Sequence, residues 1–379
     1  MSNSESGATS LPKATEFSYH LPINGVSFGQ VSTCLLRELK TRAPDSLINL
    51  FGIGQVDLNS QENDEEFNSW IKSSMAQTPE NHNRSNPLVK LWHLYDDTTT
   101  LSSVSHYQKL ITFHELDTLT KREINIANNI DEVYLTSQYS VDVFKEHGIS
   151  HAKFLPLGFD HRNFFRTNKS YFDDERITFN LVGKFEKRKN HKDVIQSWLK
   201  RFGNDYRFFL QCAVQNTFLK PEENQQIFSS LLGNQRYSNI TFLTFMPKNS
   251  QYNDYLNSGD IIIGGSGGEG WGLPEFQSVG LGKHAVIMDS TGYKSWANDD
   301  NACLVKPGPK EEVYDNVFFR KGNSYNQGNY FSLDSDAFID GCEKAIERYR
   351  KNKLNEAGLK IQSDFTWGKT VDILVDGTN

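Results

Sequence analysis

The chain has 379 residues, enough for two or three domains that each bury a core. Charged residues make up 23% and hydrophobic residues 37%, a composition that excludes a wholly disordered or collagen-like chain. The formal net charge is −7, and it lies in the first part: residues 1–165 carry 13 basic and 20 acidic side chains, whereas the remainder carries 27 of each. An acidic first half is a poor partner for nucleic acid or anionic lipid, so we expect neither.

No apolar run approaches the roughly 20 residues of a transmembrane helix. Residues 1–11 lack the apolar centre of a signal peptide, and we interpret residues 1–15 as a flexible tail. The four cysteines are too widely spaced for a zinc ribbon or a disulfide scaffold: Cys34, Cys212, Cys303 and Cys342. We therefore expect a reducing compartment and a cytoplasmic protein.

Short β-rich runs alternate with helix-length stretches along the chain. In the first half the predicted strands cover residues 17–23, 47–53, 88–95, 110–113, 132–136 and 153–156, and the predicted helices cover 30–41, 62–76, 119–128 and 138–147. In the second half the predicted strands cover residues 177–182, 206–214, 240–243, 260–263 and 284–288, and the predicted helices cover 192–201, 221–231, 251–258, 274–280 and 336–351. This alternation predicts two doubly wound α/β domains with parallel sheets.

The polar segment 160–175 separates the two sets of elements. We therefore expect one domain over residues 16–165 and a second over residues 166–364. Ligands of such sheets bind at the carboxyl ends of the strands. With two domains of this type, the expected site is the cleft between them.

A glycine-rich segment follows the predicted strand 260–263 and reads Gly264-Gly-Ser-Gly-Gly-Glu-Gly-Trp-Gly-Leu-Pro274. Glycines let the backbone approach a ligand closely, and Pro274 suits the first turn of a helix whose free amides attract an anion. The pattern predicts a phosphate site. Glu269 would be unfavourable beside a phosphate, so we expect it to bind sugar hydroxyls instead. The alternative is a tight turn that packs a helix on a strand.

A cationic segment, Gly183-Lys-Phe-Glu-Lys-Arg-Lys189, follows the predicted strand 177–182. Its four cations could neutralise a diphosphate. A charge run by itself is more often a solvated surface, but its place at the carboxyl end of a strand favours the site.

Two weaker signals lie in the first domain. His114 comes just after the strand 110–113, where we expect it to face the cleft, although a lone histidine is usually structural. Gly25 lies in the first strand-to-helix loop, and many such loops carry a glycine.

Together these segments resemble retaining glycosyltransferases of the GT-B fold, family 4 (glycosyl transferases group 1). Gly183-Lys184-Phe-Glu-Lys-Arg-Lys189 is similar to the family's Gly-Arg-x-Glu-x-x-Lys, with lysine in place of arginine. Glu269-Gly-Trp-Gly-Leu-Pro-Glu-Phe-Gln277 is similar to Glu-Gly-Phe-Gly-Leu-Pro-x-x-Glu, with glutamine in place of the second glutamate. Thr112-Phe-His114 resembles the segment with the family's cleft histidine, and Phe365-Thr-Trp367 resembles the start of its last helix.

The resemblance implies two Rossmann-like domains that face each other across a cleft. The domain over residues 16–165 would bind an acceptor, and that over residues 166–364 a nucleotide-diphosphate sugar. Residues 365–379 would form a helix that crosses back to the first domain. The implied reaction transfers the sugar to a hydroxyl of a glycan or other acceptor with retention of anomeric configuration, without a metal or another cofactor.

The resemblance also implies residue roles. The donor diphosphate would lie on the backbone of Gly270, Trp271, Gly272 and Leu273, with Gly25 and Gly183 nearby. Lys184 and Lys189 would neutralise the leaving phosphate, and Glu269 would bind hydroxyls of the donor sugar. His114 would contact the sugar near the reacting carbon. Gln277 stands at the ribose position, where an amide loses the charge-assisted bonds of a carboxylate.

The sequence leaves three alternatives to compare with this resemblance. A serine hydrolase is disfavoured because the Gly264-Gly-Ser-Gly-Gly268 spelling is not followed directly by a helix and the only later histidine is His284. A Rossmann dehydrogenase is disfavoured because Gly52-Ile-Gly54 lacks the third glycine of the motif and the first strand-to-helix loop carries no Gly-x-Gly-x-x-Gly. A non-catalytic sugar-nucleotide-binding relative stays open because of Lys184 and Gln277. Asp334-Ser-Asp336 spells a metal-binding DxD, but it precedes a predicted helix and is expected to cap it.

Overall fold

The structure is a computed structural model that describes residues 13–233 and 235–376. Its strands, in chain order, are β1 Ser18–Leu21, β2 Asn49–Gly52, β3 Leu88–Leu91, β4 Gln108–Thr112, β5 Glu132–Leu135, β6 Ala152–Phe154, β7 Ile177–Val182, β8 Phe208–Ala213, β9 Ile240–Phe242, β10 Ile261–Gly264, β11 His284–Met288, β12 Cys303–Val305, β13 Pro307–Glu312 and β14 Asn329–Leu333. Its α-helices are α1 Ser27–Arg42, α2 Glu65–Asn81, α3 Asp97–Leu101, α4 Lys121–Asn128, α5 Gln138–Glu146, α6 His191–Phe202, α7 Pro221–Leu232, α8 Asn249–Ser258, α9 Leu273–Gly280, α10 Ser335–Lys351, α11 Glu356–Leu359, α12 Ile361–Asp364 and α13 Trp367–Asp376.

The N-terminal domain is a six-stranded parallel sheet in the order β2-β1-β3-β4-β5-β6. The central strands β3 and β4 are buried along their whole length, as expected for a parallel sheet covered on both faces. Of the expected tail, residues 1–12 lie outside the described part of the chain, and Lys13–Glu16 form a 3-10 turn.

The C-terminal domain is a second six-stranded parallel sheet in the order β12-β11-β10-β7-β8-β9. Its strand order reverses between β7 and β10, and the order of the first sheet reverses between β1 and β3. Open parallel sheets bind ligands at such reversal points, outside the carboxyl ends of the strands. The cationic segment follows β7 and the glycine-rich segment follows β10, so both start at one reversal point.

The last helix, α13, returns to the N-terminal domain and packs on α1. Val371 and Leu374 of α13 are buried in the core that α1 and the first sheet share. Burial of an aliphatic side chain of this size stabilises a fold by about 1.5–3 kcal/mol. Arg42 of α1 adds an ion pair to Asp372 at 2.6 Å. The expected fold, two doubly wound domains with a C-terminal helix that crosses back, is confirmed.

An arm that sequence reasoning missed, residues 307–333, projects from the C-terminal domain. β13 and β14 pair antiparallel at its base. The arm reaches the N-terminal domain, where Lys310 pairs with Asp117 at 3.0 Å and Tyr325 stacks on Tyr95 with ring centroids 4.8 Å apart. Immediately after the arm, the Asp334 side chain accepts hydrogen bonds from two backbone amides of α10, so the expected cap is confirmed.

Candidate active site

A tight turn follows β7 at the carboxyl edge of the second sheet. Gly183 has φ +119°, a value that residues with a side chain rarely adopt. The chain then forms a 3-10 turn over Lys187–Lys189, and Asn190 ends this turn with φ 53°. The Asn190 amide nitrogen Nδ2 donates to the carbonyl of Gly265 at 2.9 Å, which ties the turn to the loop after β10.

That loop, residues 264–272, is called the glycine loop. A Cβ on Gly267 would lie 1.7 Å from a backbone carbonyl of β14, and one on Gly268 would lie 2.8 Å from the carbonyl oxygen of Glu115 in the other domain. The Gly267 amide also donates to the carbonyl of Arg188 at 2.8 Å. The glycines therefore serve close packing, as the alternative interpretation expected. The same packing places the loop against the cationic turn and the N-terminal domain.

Three consecutive backbone N–H groups at the end of the glycine loop donate to no protein acceptor within residues 13–233 and 235–376. They belong to Gly270, Trp271 and Gly272, which are buried and directly precede α9. Pro274 stands in the first turn of that helix, as predicted. A buried amide without a partner costs about 1–3 kcal/mol, and a helix N-terminus favours an anion. The end of the loop is therefore a group of donors suited to an anionic ligand.

Lys189 and Glu269 form an ion pair beside these amides, with side chains only 14% and 8% exposed. Burial acts to lower the pKa of Lys189, but the Glu269 charge outweighs it and leaves that pKa above its ordinary value. The structure thus brings into contact two residues that were assigned to the site from the sequence. Glu269 is not a free carboxylate, however, because it already holds the lysine.

Arg188 links the two domains through carboxylates on both sides of the cleft. Its side chain is 8% exposed and contacts Glu186 at 3.0 Å and, across the cleft, Glu115 at 3.0 Å. Burial disfavours the charged guanidinium, but Glu115 and Glu186 hold the pKa of Arg188 above its ordinary value. Three of the four cations of this turn are thus ion-paired within the protein, and the fourth, Lys187, is exposed and donates to the carbonyl of Glu312 at 2.7 Å. They do not form the unoccupied cationic cradle that their number suggested.

Lys184 lies at the margin of the site, under two aromatic rings. Its Nζ is 2.6 Å from Glu186, 3.7 Å from the ring centroid of Phe318 and 4.8 Å from that of Phe218. Phe318 belongs to the arm, so the arm covers this lysine. For Lys184 to reach a bound phosphate, as predicted, the arm would have to move away from it.

Glu275, two residues before Gln277, is a carboxylate that the sequence analysis did not single out. It is buried in the first turn of α9 with Tyr293 beside it. Burial first, and then the charge of Glu269, raise the pKa of Glu275 to about 7. Lys189 opposes this shift. The structure therefore places a second acidic residue next to the Lys189–Glu269 pair, and only the helix N-terminus after Pro274 could have indicated it from the sequence.

Gln277 and Leu273 stand on α9, but they face different surroundings. The Gln277 side chain is buried, and its Oε1 accepts a long hydrogen bond, 3.4 Å, from the amide of Asp160 in the N-terminal domain. Leu273 is half-buried at the first helical position. Trp271 contributes only backbone to the loop edge, because its ring is packed in the core against Phe276.

His114 is placed differently from the expected cleft position. Its buried ring packs on Phe144, with Glu123 and His147 nearby, all in the N-terminal domain. Burial lowers the pKa of His114. Successive side chains of an extended segment point to opposite faces, so the neighbours of His114, not its own ring, face the other domain. Its expected contact with a donor sugar has no counterpart in this arrangement of the domains.

The two domains touch at the glycine loop. A Cβ on Gly270 would lie 2.7 Å from the ring of Phe113, and the Thr136 hydroxyl donates to the Gly270 carbonyl at 2.9 Å. Gly25 lies on the exposed loop after β1, with the Ser60 side chain beside it. The cleft is thus closed around the loop, with no room for a sugar between Phe113 and Gly270.

Other chemistries find little support in residues 13–233 and 235–376. Ser266 is buried, and its hydroxyl donates to two backbone carbonyls at 3.1 and 3.2 Å, which is unlike an activated nucleophile. No group of three or more histidine, cysteine or acidic side chains is placed to hold a metal ion in that part of the chain. Among the same residues, none of the helices combines the length and the apolar character that crossing a membrane demands.

The chain is similar to known proteins in structure but not in sequence. No protein-family model matches the chain, and no curated protein matches it significantly. Among solved structures, it resembles a sucrose-phosphate synthase from Thermosynechococcus elongatus, with a TM-score of 0.61 and 12% identity over 96% of this chain and 95% of that one. It also resembles HepE from Anabaena in complex with UDP and glucose, with a TM-score of 0.61 and 14% identity over 95% and 99%.

A glycosyltransferase from Rickettsia africae gives a TM-score of 0.64 at 11% identity over 95% of this chain and 97% of that one. These likenesses extend over nearly the whole of both chains. The chain therefore has the GT-B fold, and the resemblance drawn from the sequence motifs is confirmed at the level of that fold.

Proposed function

We propose that the protein is a glycosyltransferase that moves a sugar from a nucleotide-diphosphate donor to a hydroxyl of an acceptor. The observation that carries the proposal is the group of buried, unpartnered amides of Gly270, Trp271 and Gly272, beside the Lys189–Glu269 pair and at the reversal point of the second sheet. Backbone N–H groups at a helix N-terminus bind a diphosphate, and the adjacent carboxylate binds hydroxyls of the attached sugar.

In the proposed reaction, binding of the donor breaks the Lys189–Glu269 ion pair, and each side chain then contacts the donor. The diphosphate lies on the loop amides and draws the Lys189 ammonium, while Glu269 turns to the sugar hydroxyls. As the bond between the sugar and the phosphate breaks, negative charge grows on the leaving phosphate. A fixed ammonium and the helix N-terminus stabilise that charge without reorganisation. We propose retention of configuration without a metal on the strength of the motif resemblance.

Donor entry requires the two domains to separate. The contacts of Gly268 and Gly270 with the N-terminal domain leave no space for a methyl group, and a sugar is far larger. Closure after binding would then exclude water from the reacting carbon. Because HepE has been solved with UDP and with UDP-glucose, UDP-sugars are the first donors to test.

A second candidate, a non-catalytic sugar-nucleotide-binding protein, is favoured by Gln277 at the ribose position and by the covered Lys184. Thermal shift with a panel of nucleotide sugars detects binding for either candidate, because a ligand of the folded state raises its stability. Release of nucleoside diphosphate separates them: sustained release supports the enzyme, and binding without release supports the second candidate. Proton NMR of the first-formed product tests retention.

We also propose a cytoplasmic location. The four cysteines are free and buried, a state that suits a reducing compartment. Mass spectrometry of the protein isolated after thiol alkylation would contradict this if it found the cysteines disulfide-bonded.

A further inference from the structure

The N-terminal domain presents an ionisable side chain, that of Glu115, to the cationic turn beside the glycine loop. The segment after β4 turns His114 inward and directs its neighbours towards the other domain. Phe113 lies against Gly270. The backbone of Glu115 lies against Gly268, and its side chain reaches Arg188.

Arg188 fixes one half of the Glu115 carboxylate. The contact joins Arg188 Nη2 to Glu115 Oε1 at 3.0 Å. The guanidinium is itself held by Glu186 and by the carbonyl of Gly268. Within residues 13–233 and 235–376, no hydrogen bond engages Glu115 Oε2, and the side chain is 28% exposed. Glu115 therefore offers a positioned carboxylate oxygen that is accessible from the cleft.

Glu115 and Glu269 flank the same guanidinium from opposite domains. Arg188 Nη1 lies 3.9 Å from Glu269 Oε2, while Nη2 holds Glu115. If Glu269 binds the donor sugar, then Glu115 lies on the opposite side of the Arg188 guanidinium, towards the domain that would bind the acceptor. Burial raises the pKa of Glu115, and Arg188 acts against this shift. A carboxylate of raised basicity is a strong acceptor for a hydroxyl.

We propose that Glu115 binds the acceptor, receiving a hydrogen bond from the hydroxyl that attacks the sugar, and that Arg188 is its positioning residue. The inference rests on the proposed glycosyl transfer. The bond from the sugar carbon to the diphosphate oxygen breaks and a bond to the acceptor oxygen forms. The hydroxyl proton passes to the departing phosphate oxygen, so Glu115 orients the hydroxyl and keeps its charge. The acceptor that Glu115 would bind is a compound with a hydroxyl group.

The test compares Glu115→Gln with wild type and with Glu146→Gln, a control at an exposed glutamate of the same domain. Calorimetry measures donor affinity with UDP-glucose, or with the donor that the panel selects. Transfer is measured to glucose and to methyl glucosides as hydroxyl probes, with hydrolysis by water alongside. The glutamine keeps the shape but loses the charge. We expect the donor affinity of Glu115→Gln to stay within threefold of wild type. Its kcat/KM for the hydroxyl probe, or its rate of donor hydrolysis, should be lower by about 100-fold.

Two further readouts separate acceptor binding from a merely structural contact. The acid limb of the transfer rate should disappear in Glu115→Gln, and formate should restore part of the activity of Glu115→Ala. Transfer within threefold of wild type would overturn the inference, and so would an equal loss of donor affinity, which would make Glu115 only a contact between domains. If wild type neither binds nor turns over any donor, the proposed function itself fails; if it turns donor over and Glu115→Gln does so equally, only this inference fails.

Discussion

Replacing Lys189 by methionine should destabilise the protein and abolish transfer together. Methionine keeps the length and apolar stem of the side chain but removes the ammonium that pairs with Glu269. Both side chains are less than 15% exposed, at 14% and 8%. Removing one partner of a buried pair costs about 3–5 kcal/mol, because the other charge remains without compensation. Here Glu275, whose carboxyl also faces the lysine, adds to the cost, and Arg188 Nη1, which lies 3.9 Å from Glu269 Oε2, offsets part of it.

For a domain of 150–250 residues, each kcal/mol lowers the melting temperature by about 2–4 °C. The Lys189→Met variant should therefore melt roughly 6–20 °C below wild type in differential scanning calorimetry at neutral pH. The double variant Lys189→Met/Glu269→Gln removes both charges and should recover most of the loss. Transfer should fall on the order of 10²–10³-fold in both variants, because each lacks a preorganised charge at the phosphate.

Lys187→Met is the matched control, since Lys187 lies in the same turn but is exposed. It should change the melting temperature by less than about 2 °C, as is usual for surface substitutions. The reasoning is refuted if Lys189→Met melts within 2 °C of wild type, or if the double variant is no more stable than the single one. Either result would mean that the Lys189–Glu269 pair is not a buried, mutually dependent pair.

The remaining predictions concern Glu275, Gly268, Gln277 and metal dependence. The pKa of Glu275 in the folded protein, about 7, exceeds its ordinary value of 4.5. Folding therefore favours the protonated carboxyl, and the stability of the protein falls as pH rises from about 4.5 through 7. Glu275→Gln should remove this fall in calorimetry at varied pH, and the variant should be more stable than wild type at pH 8. Gly268→Ala places a Cβ 2.8 Å from the Glu115 carbonyl, so it should loosen domain closure and cut transfer at least tenfold; an unchanged rate would show that closure is not needed. Gln277→Glu should tighten donor binding by about 1–2 kcal/mol in calorimetric titration if the ribose lies there, whereas weaker binding would assign Gln277 to the Asp160 contact alone. Turnover should persist in EDTA, and a complete loss that manganese or magnesium restores would contradict a metal-free reaction.

Most strands and helices could be predicted because their signals are local, whereas the short edge strand β12 of the second sheet was missed. The residues of β10, for example, form a continuous apolar run before a glycine, and all four are buried. Pro274 and Asp334 mark the starts of α9 and α10 through backbone chemistry that any sequence shows. Such features do not depend on distant parts of the chain.

The arm could not be predicted in the same way. β13 is largely exposed, and β14 alternates half-buried with buried residues, so neither has the continuous apolar run of a core strand. They are held by contacts to Asp117 and Tyr95 in the other domain, which only the folded chain brings near. Sequence reasoning therefore missed the cover that Phe318 places over Lys184.

Sequence reasoning named residues that the structure brings into contact, but it did not predict how their charges pair. Lys189 and Glu269 were both singled out, yet their ion pair joins two loops whose proximity is set by the adjacent strands β7 and β10. His114 and Glu115 show most clearly what the sequence alone could not predict. Neighbours in an extended segment face opposite sides, and the sequence does not settle which of the two faces the cleft.

The central claim is that the glycine loop and the turn after β7 bind a nucleotide sugar between the domains. Hydrogen–deuterium exchange with and without saturating UDP-glucose, or the donor that the panel selects, tests it most directly. The account predicts slower exchange at residues 264–273 and 183–190, because the amides of Gly270, Trp271 and Gly272 become hydrogen-bonded and the cleft closes over them. Bound donor that leaves both segments unchanged and protects another surface would contradict it.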